Sequence, residues 1–417
     1  MDEISEALAD PQTVTHPAVY DALLTRIRRE APLRWMTPEG FRPFWLVAKH
    51  ADLLEVESRA DIFLSAPRTE LIPRKEEEQI AAATGGNQQM MRTILHMDGA
   101  EHRAYRGLTQ PAFMPPNLCK LEAGITAIAK EYVQRMVELG DACDFVKDIA
   151  VWYPLRVILL LLDLPPEAAP EILRLTQNFV ERKDQNIVGE GPSEQVAVQS
   201  AQEILDYVSK LYESRKAAPG DDLASVIATA KIGGEPISPF EAMSYLLLVV
   251  TAGHETTSAT TAGGMLALLQ NPGELERLQA DLTLLPGAVD EMLRWVSPVK
   301  HFFRTAVQDY ELRGQKIKAG DSLMLCFPSA NRDEEVFADP FSFKIDRKPN
   351  PHTTFGYGPH ACLGQHLGKM EIRILLKEIL ENFDGLQLAG EPAWVATTFA
   401  GGLKTLPIRY RRRQLPG

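Results

Sequence analysis

The 417-residue sequence predicts a mainly α fold with a small β-rich lobe, and three observations carry that class. Apolar residues keep helical spacing from about residue 98 to 295 and again over 363–383. Strand-like alternation is confined to short stretches, mainly 30–65, 305–330 and 385–412. One helix is marked at both ends and is on the order of 45 Å long at 1.5 Å per residue, enough to cross a whole domain. No internal repeat, low-complexity tract or linker divides the chain, so a single domain over 1–417 is expected.

From the N-terminus, LRWM (33–36) and PFWLVA (43–48) read as two short strands around the turn TPEG. KHADLLEVESRADIF then switches to helical spacing. Residues 68–96 are polar and irregular, with TGGNQQ in the middle, and read as a long loop of the kind that often serves function. The long helix begins at SPFE: Ser238 is placed to cap, Pro239 sits at the first helical position, and Glu241 completes a capping box. Asn271 and Pro272 stop it. After Arg304, YELRGQKIKAGDSLMLCF alternates like strands around Gly and Asp turns. A last helix runs from about Leu363 to Asn382, and strand-like text returns at the end.

Composition narrows the function. A formal net charge of −12 disfavours a nucleic-acid binder, which needs a basic face. The longest apolar runs, 245–253 and 157–166, fall short of the roughly 20 residues that span a bilayer. MDEISEALAD has neither the basic nor the apolar region of a secretory leader. The four cysteines, Cys119, Cys143, Cys326 and Cys362, have no C-x-x-C spacing, which points to a reducing compartment. A soluble cytoplasmic protein acting on small neutral molecules is the expectation, with no membrane or nucleic-acid partner.

The chemistry concentrates in FGYGPHACLG (355–364). Cys362 stands just before a helix, where unpaired N–H groups and the helix dipole favour a thiolate. Gly356, Gly358 and Gly364 let the backbone turn tightly and approach something flat and bulky. His360 and Cys362 form an H-x-C pair, but a structural zinc site wants four ligands and no second pair is visible. A single thiolate suits heme iron, and a buried thiol in a glycine turn is the plain alternative. AGHETT (252–257) interrupts the long helix: small Ala252 and Gly253 leave room for a ligand, while Glu255 and Thr256 set an acid beside an alcohol, suited to proton delivery. Its plain alternative is a solvated kink. Glu291 and Arg294 lie one turn apart and by themselves read as an ordinary surface pair. His102, Arg106, Arg304 and His360 are each unremarkable alone, but together they suit carboxylates such as heme propionates.

With these residues quoted, the sequence closely resembles the cytochrome P450 family of heme-thiolate monooxygenases over essentially its whole length. FGYGPHACLG matches the family's heme signature, AGHETT its oxygen-activating motif, and Glu291 with Arg294 its E-x-x-R pair. The resemblance implies the family fold, with the long helix crossing over heme b. It makes Cys362 the axial iron ligand, places Phe355 beside the thiolate and Gly364 at the end of the signature, and gives His102, Arg106, Arg304 and His360 to the propionates. Glu255 and Thr256 become the proton-delivering pair, and Glu291, Arg294 and Arg332 a network supporting the proximal side. Pocket walls fall to Leu248, Thr251, Ala252, Val299, Phe302, Phe399 and Ala400, with access by the 68–96 loop and the polar stretch 181–195.

Stretches such as TAGHETTS and SPVKHFFRTA look most like the branch that contains the alpha-terpineol hydroxylase. That branch implies a bacterial enzyme, monomeric, hydroxylating a compact monoterpenoid or alkylaromatic molecule with O2. Electrons would come from NAD(P)H through a separate reductase and a 2Fe–2S ferredoxin. Arg103, Arg106, Lys348 and Lys369 are candidates for a basic ferredoxin-docking face. A peroxide-driven peroxygenase would lack the acid–alcohol pair, and a non-catalytic heme sensor would need neither that pair nor a docking face.

Overall fold

Five strands brought together from distant parts of the chain build the β lobe in the computed structural model, which describes residues 3–180 and 194–413. Their order is Leu33–Met36, Phe44–Val47, Ser322–Cys326, His301–Ala306 and Phe63–Leu64. Only the Phe44–Val47 and Ser322–Cys326 pair is parallel; the rest are antiparallel. The strand carrying Arg304 begins at His301, earlier than the sequence pattern placed it. Its residues are mostly buried on both faces, so it lacks the alternation that marks a half-exposed strand.

Three further departures have physical causes. Within the expected 68–96 loop lies a helix, Arg74–Ala83. Its one buried residue is Glu77, held by Arg42 at 2.5 Å and Arg68 at 3.5 Å. An ion pair rather than an apolar stripe anchors it, so hydrophobic periodicity cannot reveal it. Inside the expected helical stretch, Ala142–Asp144 pairs with the C-terminal strand Pro407–Arg412. Lys231–Ile232 and Glu235–Pro236 form a hairpin whose turn is Gly233–Gly234, with φ of 63° and 92°, a signal that KIGGEP carried. The segment 181–195, expected to line the access route, lies outside the described residues except for its last two.

The long helix is Pro239–Gln270, and its capping box forms as expected. The Glu241 N–H donates to Ser238 Oγ at 3.2 Å, and the Ser238 N–H donates to Glu241 Oε2 at 3.0 Å. Past Thr257 it is buried on nearly every face, and small residues let its neighbours approach closely. A Cβ at Gly264 would fall 1.8 Å from Met292 Cε, and one at Gly263 2.7 Å from Val296 Cγ2. It packs against helices Trp152–Leu161, Leu285–Val296 and Gln365–Asn382, the last of which follows the cysteine signature.

Candidate active site

Residues 355 to 364 form a tight turn, a single 3-10 turn at Gly358–His360, and then Cys362. The Cys362 N–H donates to the Phe355 carbonyl at 2.7 Å, closing the loop that presents the sulfur. Protein surrounds Cys362 deeply, yet the residue's own surface is open. The open surface decides what can reach the sulfur, so Cys362 faces an internal space. Among the described residues no cluster of three or more His, Cys, Asp or Glu side chains could hold a metal ion, which sets a multi-ligand zinc site aside.

The expected thiolate is not favoured by the protein alone. Burial pushes the Cys362 thiol up, and the Gly364 backbone N–H and Arg106 oppose that only in part. The helix begins at Gln365 with Gly364 as its cap, so Cys362 lies outside the first turn, where the dipole acts most strongly.

The two inner glycines make the tight turn expected of them, and the group that comes close to them is protein. Gly356 and Gly358 both have φ of 68°, and the nearest obstacle to a side chain at either is Glu57. Gly364 has φ −84°, and a Cβ there would meet no protein atom within 4 Å.

The four scattered cationic candidates do assemble around this loop. The His102 and His360 rings stack at 4.0 Å. His360 Nε2 lies 3.2 Å from Ser65 Oγ and 3.5 Å from Asp98 Oδ1. Burial, with the nearby His360 and Arg106, pulls His102 down to about 4, so its ring is neutral at pH 7. Arg106 Nη2 donates to the Ala361 carbonyl at 2.7 Å. Arg304 donates from Nη1 to the Phe303 carbonyl at 2.7 Å and from Nη2 to Glu57 Oε1 at 3.2 Å. Arg106 therefore points inward, and Lys369 is paired with Asp290 at 2.7 Å. Of the expected basic docking face, Arg103 and Lys348 remain simply exposed.

On the long helix, Ala252 is exposed between the half-buried Thr251 and Gly253 and marks its open face. Gly253 does not supply ligand room: a Cβ there would fall 2.3 Å from Ile158 Cδ1, so the glycine admits the neighbouring helix. Thr256 Oγ1 donates to the Ala252 carbonyl at 3.1 Å, which leaves the oxygen's lone pairs to accept. Thr251 Oγ1 likewise turns back to the Leu247 carbonyl at 2.9 Å, presenting its methyl outward. Glu255 is half-buried beside Thr256. His254, buried between them and helix Ala169–Val180, lies 2.9 Å by Nδ1 from the Val250 carbonyl and 3.3 Å by Nε2 from Thr176 Oγ1. The carbonyl cannot donate, so Nδ1 carries the proton, and burial lowers the ring to about 4.

Wall residues from distant segments converge on the same side. Val299 and Ala400 form an isolated antiparallel bridge, and the Phe302 and Phe399 rings pack edge to face at 5.5 Å. The adjoining Gly402 presses on the long helix: a Cβ there would be 2.8 Å from Ala259 Cβ. Ala259 is two turns beyond Ala252 on one helix face, which aligns this wall with Thr251, Ala252 and the half-buried Leu248.

Glu291 and Arg294 are no surface pair. Both are fully buried, joined at 2.7 and 2.8 Å. Arg294 Nη1 also donates to the carbonyls of Asn331 and Pro340, each at 2.9 Å. Arg332, expected as the third member, bonds to the carbonyls of Arg294 and Trp295 instead of the carboxylate. The third charge on Glu291 is Arg347, at 3.0 Å, which sequence reasoning missed because it lies 56 residues away with no motif around it.

A family model described as "Cytochrome P450" matches residues 191–403. Cytochrome P450-terp of a Pseudomonas species is 38% identical over 99% of this chain and 98% of its own. The chain belongs to the cytochrome P450 family. Linalool 8-monooxygenase of Pseudomonas putida is 31% identical over 96% of this chain and 98% of its own. The crystal structure of CYP108D1 from Novosphingobium aromaticivorans superposes with a TM-score of 0.91 at 39% identity, covering 99% of both chains. This P450 is thus a monooxygenase, and the family's cofactor is heme held by an axial cysteine thiolate. No helix among its described residues is long and apolar enough to cross a membrane.

Proposed function

We propose that this P450 hydroxylates a compact, neutral hydrophobic molecule of the monoterpenoid or alkylaromatic kind. The carrying observation is the wall itself. Val299, Phe302, Phe399 and Ala400 close against Leu248, Thr251 and Ala252, and this set holds no charged side chain that could satisfy a substrate carboxylate. The terpene-directed names of two relatives point the same way.

The residues fit heme. A cysteine with open surface deep in the interior offers a sulfur, and Arg304, Arg106, His102 and His360 gather donors at one side of its loop. In this reading Cys362 holds the iron, those four hold the carboxylates, and Glu291, Arg294, Arg332 and Arg347 support the loop. When bound, the heme supplies activation of O2 with electrons from NAD(P)H, here through a reductase and a 2Fe–2S ferredoxin. The chain contributes proton control. Thr256 Oγ1, oriented by its bond to Ala252, accepts a bond from water, and Glu255 exchanges protons with solvent.

Monoterpenoids and alkylbenzenes are expected to shift the ferric spectrum from low to high spin more tightly than long-chain fatty acids. Tight shifts with fatty acids alone would overturn the substrate class. With a reconstituted ferredoxin and reductase, Thr256→Ala is expected to keep heme and substrate binding but form less product per NAD(P)H, releasing hydrogen peroxide instead. Glu255→Gln is expected mainly to slow turnover, with an altered solvent isotope effect. Unchanged coupling in Thr256→Ala would remove its proton-delivery role, and no product from wild type with any compatible electron donor would favour a sensor.

A further inference from the structure

The two signature glycines, the buried Arg304 and the end of helix His50–Ser58 all meet at one residue, Glu57. It is the penultimate residue of that helix, and its side chain is 2% exposed. Its Oε1 lies 3.2 Å from Arg304 Nη2, the shortest charged contact that the guanidinium makes. A Cβ at Gly356 would stand 3.3 Å from the same Oε1, and one at Gly358 2.6 Å from the Glu57 backbone carbonyl. Its second oxygen, Oε2, is buried and accepts no hydrogen bond from the protein.

We infer that Glu57 is a positioning residue of the heme site, acting through Arg304 and through the turn that leads to Cys362. The inference rests on the heme-thiolate reading above. Arg304 is buried on a strand and needs a counter-charge to stay ionised there. Glu57 supplies it and fixes the fork: one arm holds the Phe303 carbonyl, the other holds Glu57, and the remaining N–H groups are left aimed for an anionic ligand group. The same residue packs its backbone and carboxylate into the concave side of residues 356–358. Any movement of the helix end is therefore passed to both the propionate partner and the cysteine loop. Burial pushes the Glu57 carboxyl up to about 7, against the pull of Arg304 and the Tyr357 backbone N–H, so it carries its full charge only above that pH, where the readouts below are taken.

Two readouts on purified holoprotein test this: the rate of heme transfer to excess apomyoglobin and the midpoint potential of the ferric–ferrous couple. Glu57→Gln keeps the shape and removes the charge. It is expected to release heme about tenfold faster, the scale of one charge-assisted hydrogen bond. Its potential should move positive, because a negative charge that opposes reduction is lost. Glu57→Asp keeps the charge and folds with the least perturbation, so it should shift the potential less than half as far. Arg304→Gln should also speed release, and adding Glu57→Gln to it should bring little further change, since one residue acts through the other. Wild-type release and potential in Glu57→Gln, or fully additive losses in the double variant, would overturn the inference while leaving the heme-thiolate assignment intact. That assignment fails separately if wild type itself lacks a thiolate spectrum with carbon monoxide.

Discussion

Cys362→Ala is expected to yield a folded protein whose reduced carbon monoxide complex has lost the strongly red-shifted Soret band of thiolate ligation. The fold should survive because the residue's own surface is open rather than tightly packed, so truncation leaves little new cavity. The spectrum should not survive, because the other thiols are elsewhere: Cys326 is buried in the β lobe, and Cys119 and Cys143 lie on or beside the helix Pro115–Leu139 and its following strand. Heme content should fall as well, since the variant loses the sulfur bond to the metal. Absorption spectra of the reduced carbon monoxide complex, with heme quantified separately, check both parts. A variant that kept the red-shifted band would remove Cys362 from the iron.

Glu291→Ala is expected to destabilise the fold by about 3–5 kcal/mol, because removing one partner leaves a buried charge uncompensated. The size follows from how many groups converge on that carboxylate. Arg294 meets it at 2.7 Å, Arg347 at 3.0 Å, the Lys344 N–H at 2.9 Å and Asn350 Nδ2 at 3.2 Å. All come from the helix Leu285–Val296 or from the stretch between it and the cysteine loop, so the loss should loosen the loop and lower heme retention. By contrast, breaking the exposed Arg26–Glu30 pair is expected to change stability by no more than about 0.5 kcal/mol. Chemical denaturation of the two variants side by side is the check. Equal small effects would mean that solvent reaches the Glu291 network.

The contrast between those two pairs shows where sequence reasoning stops. Both are acid and base a turn or so apart on a helix, and spacing gives them the same local meaning. Burial separates them, and burial is made by segments dozens of residues away. The same holds for Arg332 and Arg347: the expected member joins the network through main-chain carbonyls, and the one that meets the carboxylate has no local signature. The helix Arg74–Ala83 escaped notice because a salt bridge, not an apolar stripe, docks it.

Several features that depend only on neighbouring residues formed as read, while the hairpin signal of KIGGEP went unread. The capping box of the long helix and its stop at Asn271 depend only on neighbouring residues, and they form as the letters require. The fold class follows from hydrophobic period, and the family from a cysteine among glycines joined to an acid–alcohol turn. Local chemistry thus pointed to the family and its reaction type. Only the packed chain decided why several residues are what they are. Gly253 is small for Ile158, Gly358 for Glu57 and Gly264 for Met292, because a missing Cβ answers to whatever atom stands opposite it. The thiol of Cys362 is raised where helix position alone suggested the reverse, because desolvation acts from every side of a buried group and a dipole acts only along one axis.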